Sequence, residues 1–236
     1  MCELRLIAEI CNESAWIEAF KKGYDMHSFV ASMLFQIPYE DMVNKDHEVL
    51  PEYKAFRSKA KNINFGVAYG MKAGRLAHNL GVTFDEARAL LNKFWVTFPN
   101  IAKKLDQLAN DAVKNEYAIS PLDGRRRYLK TFDFDVSGER AHAQNIAKNL
   151  PFQGTNASIT KRALVYIRRA ALNKGWSADK FRILITVHDE IECECHKSIV
   201  DEATKMVEDM MIAAAEYYVK KVPMKVDVDV GDHWIH

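Results

Sequence analysis

In the stretch RSKAKNINFGVAYG, Arg57 to Gly70, the residues Arg57, Lys61, Phe65 and Tyr69 recur every four positions. Four helical residues turn the chain by about 400°, so these side chains drift slowly round one face and span about 18 Å. Two cations one turn apart repel by roughly a few tenths of a kcal/mol, so the placement suits a shared anion better than it suits the helix. A triphosphate fits such a pair, and the aromatic residues further along suit a base or sugar. The same spacing also describes a solvated face with a buried aromatic end, and spacing alone leaves both readings open.

A second chemical group lies near the end of the chain. His188-Asp189-Glu190 falls between the apolar run FRILITV and the alternating IECEC, which places polar residues at the turn of a hairpin. Taken alone, a His-Asp-Glu turn in a hairpin is usually just a polar turn, with Asp189 and Glu190 alternating to opposite sides of the strand. Cys193 and Cys195 with His196 have a C-x-C spacing that strand alternation explains as well as a metal site does. Asp227 and Asp229 in VDVDV have the pattern of a half-exposed strand. His27 alone reads as a helix-surface residue, and Asn149 and Gln153 beside Pro151 could satisfy backbone groups at a kink.

The elements that must position these groups are mostly helices. ELRLIAEICNESAWIEAFKKG reads as two short helices broken at Asn12-Glu13-Ser14, and DMHSFVASMLFQ as a third capped by Asp25. Pro51 opens the segment that carries Arg57 to Tyr69 and ends at Gly70, and MKAGRLAHNLG is a short helix stopped at Gly81. Thr83 to Glu86 forms a capping-box pattern, and Pro99 starts a long helix. Turn chemistry at Pro121 and Asp123-Gly124 predicts a short hairpin. Gly138 to Lys174 has helical period, interrupted by Pro151 and Gly154, which should kink it. FRILITV reads as a buried strand, SIVDEATKMVEDMMIAAAEYYVKK as a long amphipathic helix, and MKVDVDVGDHW as a closing strand. Helices first and a small sheet last predict an α+β fold.

At 236 residues, 48% hydrophobic and 28% charged, the chain can bury a real core. Four cysteines make no disulfide framework and suggest a reducing compartment, and no apolar run reaches the length of a membrane span. A formal charge of +1 excludes a strongly basic protein, so nucleic-acid binding must come from local clusters.

The row R-x-x-x-K-x-x-x-F-G-x-x-Y-G resembles the fingers-helix motif of family A DNA polymerases at Arg57, Lys61, Phe65, Gly66, Tyr69 and Gly70. The resemblance continues in order through Glu3-Leu4-Arg5, Asp25-Met26-His27, Gly124 to Arg127, Asn149 to Thr155 and Val187 to Glu190, and covers essentially the whole chain. It implies a mostly helical fingers subdomain with a small antiparallel palm sheet, part of a polymerase right-hand fold. The implied division is residues 1–24 for the end of the first palm motif and the helices after it, 25–120 for the fingers, and 121–236 for the carboxy-terminal palm. It implies phosphoryl transfer from a deoxynucleoside triphosphate to a primer 3′-hydroxyl with two Mg2+ ions. Asp189 would hold metal, with Glu190 a weaker partner. Arg57, Lys61 and His27 would hold the triphosphate, Lys61 would also protonate pyrophosphate, and Phe65 and Tyr69 would sit against the nucleoside. Glu3 resembles the steric gate against a ribose 2′-hydroxyl, with Tyr69 as its hydrogen-bond neighbour. Phe65 in place of a Tyr implies selectivity against nucleotides lacking the 3′-hydroxyl. Arg5, Asn149, Gln153 and His188 would touch primer-template DNA.

Two departures qualify the resemblance. The family's first palm motif runs D-x-S-x-x-E-L-R, and here only Met1 and Cys2 precede Glu3, so the Asp that shares both metals would lie upstream. Gln144-Asn145 stands where many members have Glu-Arg, which puts that Arg contact to primer in doubt. The expectation is a fingers and carboxy-terminal palm portion, inactive alone and completed by an amino-terminal polymerase portion carrying the other Asp, in a bacterial or virus-infected cytoplasm. A binding module for nucleotide or primer-template without chemistry is the alternative, and an unrelated α+β interaction domain is a third reading.

Overall fold

Helix breaks and starts follow local chemistry. A computed structural model describes residues 2–68 and 70–233. Helix α1 (Cys2–Cys11) stops where Asn12 takes a left-handed φ of 50°, and α2 (Ser14–Lys21) restarts two residues on. The Asp25 side chain accepts from the Ser28 N–H at 2.8 Å and caps α3 (Met26–Phe35). A short α4 (Tyr39–Met42) and a 3-10 turn at Pro51–Tyr53 lead into α5 (Lys54–Ala68). Gly81, at φ 63°, closes α6 (Ala73–Leu80), and a complete capping box between Thr83 and Glu86 opens α7 (Phe84–Thr97). Pro99 begins α8 (Pro99–Asn115).

Strands β1 (Tyr117–Ile119) and β2 (Arg126–Tyr128) form the hairpin that the turn residues predict. Helix α9 (Ser137–Asn173) then runs 37 residues with Pro151 inside it, so the proline does not end the helix. Proline removes one rung, but Phe152 packs into the core and the Ser120 hydroxyl, 2.9 Å from that of Thr155, pins the hairpin against this turn. Strands β3 (Phe181–Val187) and β4 (Glu190–Cys195) pair antiparallel, and α10 (Val200–Glu216) follows. The fold is α+β, mostly helical with two small antiparallel sheets.

The main core wraps α1, whose residues from Leu4 to Cys11 are all buried. Trp16 packs edge-on against Phe94 and Phe98, with ring centroids 6.3 and 5.7 Å apart. Each such side chain contributes about 1.5–3 kcal/mol by leaving water. Charged groups inside this core hold chain ends: Glu9 accepts from the Lys221 N–H at 2.8 Å, and Glu13 from the Asn100 N–H at 3.2 Å in the first turn of α8. A second cluster lies between α9, α10 and one face of the β3–β4 sheet, centred on Ile167, Trp176 and Phe181.

Two strand expectations are corrected. FRILITV is not a buried strand: Leu184 is 57% and Ile185 46% exposed, because helices cover one face of a two-stranded sheet and nothing described covers the other. The pairing also shifts between Ile183 and Ile185, which leaves Leu184 out of register. The segment MKVDVDVGDH forms no strand, since no described strand lies beside it to complete a ladder; Trp234 lies outside the described residues. Among the described residues no helix is long and apolar enough to cross a membrane.

Candidate nucleotide and nucleic-acid site

Helix α5 has two faces. Ala60, Ile63, Asn64 and Val67, at helical spacing, are buried, which leaves Arg57, Lys61 and Phe65 along the neighbouring stripe. Tyr69, the fourth member of the predicted row, lies outside the described residues. Lys61 and Phe65 border a cavity of ≈ 950 Å³, whose far wall is Met71, Lys72, Arg75 and Asn79 from the start and face of α6 together with Asn145 from α9. Two glycines let the walls close. A Cβ on Gly66 would fall 2.8 Å from the Met71 side chain, and one on Gly70, at φ 66°, 2.6 Å from Asn145 Oδ1.

The stripe divides at Arg57. Its Nε and Nη2 donate to the two Asp25 oxygens at 2.8 and 2.9 Å, so the anion that this guanidinium holds is a carboxylate of the chain itself. Burial pushes the Asp25 carboxyl up, but the bonds from Arg57 and Ser28 outweigh it and hold the group below the usual carboxylate range. The Asp25 N–H in turn donates to Tyr39 Oη at 2.9 Å.

His27 is not a surface residue. It is 3% exposed, with Nδ1 3.1 Å from Asn64 Nδ2 and its ring 5.6 Å from that of Phe65. Burial, reinforced by the Arg57 and Lys61 charges against the pull of Asp25, drives its pKa down to about 4. The imidazole is therefore neutral near pH 7. With the Asn64 amide donating to Nδ1, the proton belongs on Nε2.

At the start of α1, Glu3 lies half-buried in the first turn. The Asp189 charge reaches this end of the helix: after burial, it is the largest influence pushing the Cys2 thiol up to about 12. Val187 pairs with Glu190, so His188 and Asp189 are the two turn residues between β3 and β4, as the sequence predicts; both are exposed, and His188 has φ 53°. Arg5, expected at primer-template DNA, is 8% exposed, with its guanidinium 4.5 Å from the Phe20 ring centroid and Nη1 donating to the Pro223 carbonyl, so it fastens the carboxy-terminal segment.

On α9, Asn149, Gln153, Asn156 and Thr160 follow one another at helical spacing over about 16 Å. Gln153 is exposed, while Asn149 Oδ1 and Asn156 Oδ1 are buried acceptors with no hydrogen-bond partner, so Asn149 does not satisfy backbone at the proline turn. Thr160 Oγ1 lies 3.5 Å from the His188 carbonyl, which brings the end of this amide row to the Asp189 hairpin. Sequence reading missed Asn156, the Lys72 and Arg75 wall, and the grip of Asp25 on Arg57. The α6 residues were legible as a polar row at i, i+3 and i+7, whereas the ion pair joins residues 32 apart and carries no local signal.

No group of three His, Cys, Asp or Glu side chains among the described residues could hold a metal ion, and this includes Cys193, Cys195 and His196. Asp189 with Glu190 supplies carboxylate oxygens, the donors hard divalent ions take, so the residues present fit part of such a site.

The model of DNA polymerase family A matches residues 1–236. The thermostable DNA polymerase I of Thermus aquaticus is 31% identical over 233 residues, covering 99% of this chain and 26% of that protein. DNA polymerase I of Chloroflexus aurantiacus is 35% identical over 233 residues, covering 98% and 23%. The chain thus spans about a quarter of the length of these curated relatives. The solved POL domain of Pol1 from M. smegmatis, in complex with DNA primer-template and dNTP, superposes with a TM-score of 0.82 at 32% identity, over 95% of this chain and 37% of that one. The cationic, aromatic face of α5, the amide row of α9 and the carboxylate turn after β3 therefore belong to a member of DNA polymerase family A.

Proposed function

We propose that this chain is the end of the first palm motif with the helices after it, residues 1–24, the fingers portion, residues 25–120, and the carboxy-terminal palm portion, residues 121–236, of a DNA-directed DNA polymerase that transfers a nucleotide from a deoxynucleoside triphosphate to a primer 3′-hydroxyl. The observation that carries the reading is the cavity with Lys61 and Phe65 of α5 on one wall, the His27 ring packed near Phe65 and Arg57 one helical turn before Lys61. The triphosphate lies along Arg57 and Lys61, with the neutral Nε2–H of His27 as a further donor, and Phe65 and Tyr69 flank the nucleoside. Glu3 closes the ribose side. Lys61 passes a proton to the departing pyrophosphate as its bond to the α-phosphorus breaks.

Asp189, with Glu190 beside it, would hold the divalent ions, Mg2+ in this reading. Such ions activate the attacking oxygen and stabilise the leaving group. The other shared carboxylate comes from outside these 236 residues, in an amino-terminal polymerase portion. Asn149, Gln153 and His188 touch the terminal primer-template pair, a role supported by the unpartnered Asn149 oxygen and the exposure of Gln153 and His188.

The second reading is a non-catalytic module that binds nucleotide or primer-template. Primer extension with Mg2+ and all four deoxynucleoside triphosphates, with and without the amino-terminal portion in trans, separates the two. Extension only with that portion, abolished by Asp189→Ala, is the expected result. Triphosphate binding without extension in either case supports the binding module, and extension by the chain alone refutes the external carboxylate.

A further inference from the structure

We propose that Asp25 is a positioning residue that holds Arg57 by one edge of its guanidinium and thereby turns the other edge to the triphosphate; this rests on the nucleotide site proposed above. A guanidinium carries five N–H donors in one plane, and its Nε–Nη2 and Nη1–Nη2 edges, which face different directions in that plane, can each take a two-oxygen anion. Asp25 occupies the Nε–Nη2 edge at 2.8 and 2.9 Å, and no other described group bonds to Arg57. The Nη1–Nη2 edge remains for phosphate oxygens.

Asp25 is suited to this work because it is itself immobilised. The same carboxylate accepts from the Ser28 N–H as the α3 cap, and its own backbone N–H donates to Tyr39, whose ring stacks on Tyr24 with centroids 4.0 Å apart. Its side chain is 14% exposed, against 32% for Arg57. Arginine is a long side chain that loses much rotamer freedom when it binds an anion, and fixing Arg57 beforehand removes that cost from nucleotide binding. Asp25 acts through Arg57 and touches no phosphate itself.

Substitution gives a discriminating sign. Asp25→Asn keeps the helix cap, because Asn caps as well as Asp, but it removes the charge and turns an N–H toward the Arg57 edge. Simple electrostatics then predicts tighter triphosphate binding, since a nearby negative charge is gone. Loss of positioning predicts weaker binding, by about tenfold on the scale of a charge-assisted bidentate pair. Calorimetric titration of the chain with deoxyadenosine triphosphate and Mg2+ would be run on the wild type, Asp25→Asn, Arg57→Ala, Lys61→Ala and the Asp25→Asn/Arg57→Ala double variant, with a thermal melt of each.

The expected result is an about tenfold loss in Asp25→Asn that disappears in the Arg57→Ala background, with a melting temperature near that of the wild type. Unchanged or tighter binding in Asp25→Asn overturns the proposal, as does an equal loss in both backgrounds, which would mark a general effect on the fold. If neither Arg57→Ala nor Lys61→Ala weakens binding, the nucleotide reading of the site fails, and the role of Asp25 falls with it.

Discussion

Gly70→Ala tests whether the turn between α5 and α6 is held against α9 as the structure shows. Gly70 has φ 66°, and a Cβ there would lie 2.6 Å from Asn145 Oδ1. A left-handed conformation costs a non-glycine residue about 1–2 kcal/mol. A contact well inside van der Waals distance adds a second term, reduced because Oδ1 ends a side chain that can rotate. Together they predict a loss of about 2–3 kcal/mol, near the upper range for a single substitution. Asn145→Ala removes the obstacle, so the double variant should recover about 1 kcal/mol and retain only the backbone strain. For a chain of this size each kcal/mol is worth about 2–4 °C in melting temperature. Urea denaturation of the two single variants and the double variant gives the coupling directly. Additivity within about 0.3 kcal/mol would refute the close approach, and a neutral Gly70→Ala would refute both the approach and the strained φ.

Other outcomes follow from the same geometry. His27 is neutral in the folded chain, with its pKa lowered from 6.5 to about 4, so unfolding is accompanied by proton uptake below pH 6.5. Its contribution is complete above pH 6.5 and is lost as pH falls toward 4, on the order of 3 kcal/mol in all; His27→Gln should flatten that part of a stability profile. Arg5→Ala leaves the Pro223 carbonyl without its donor and uncovers Phe20, and should cost about 2–3 kcal/mol and speed limited proteolysis after residue 222. Leu184→Lys, on the uncovered sheet face, should change stability by less than about 0.5 kcal/mol in urea denaturation; a larger loss would mean that this face is packed. Asn149→Ala should leave the melting temperature within about 2 °C and weaken primer-template binding in a fluorescence-anisotropy titration, since its oxygen has no internal partner to lose.

The local code of this chain is legible at its caps and turns, where the signal sits within a few residues. The Asp25 cap, the Thr83–Glu86 box, the stops at Gly81 and Gly70, the hairpin about Asp123-Gly124 and the turn at His188-Asp189 all follow from backbone chemistry that needs no distant partner. The α5 stripe is equally local, because helical spacing alone puts Arg57, Lys61 and Phe65 together. Strands were harder to read. A β-branched run and a period-two alternation state a preference for extended backbone, but burial and ladder formation depend on neighbours, so FRILITV became a half-open strand and VDVDV no strand at all.

What the sequence determined by itself is therefore the set of helices and turns, the row of groups on α5 and the carboxylate turn. Tertiary structure alone decided how those groups are employed. It clamped Arg57 to Asp25 across 32 residues, drew His27 into the interior and lowered its pKa, and turned Arg5 inward to fasten residues more than two hundred positions away. The division has a physical reason. Helix and turn free energies are summed over neighbours in the chain, whereas desolvation and ion pairing are set by whichever groups packing brings within a few ångströms.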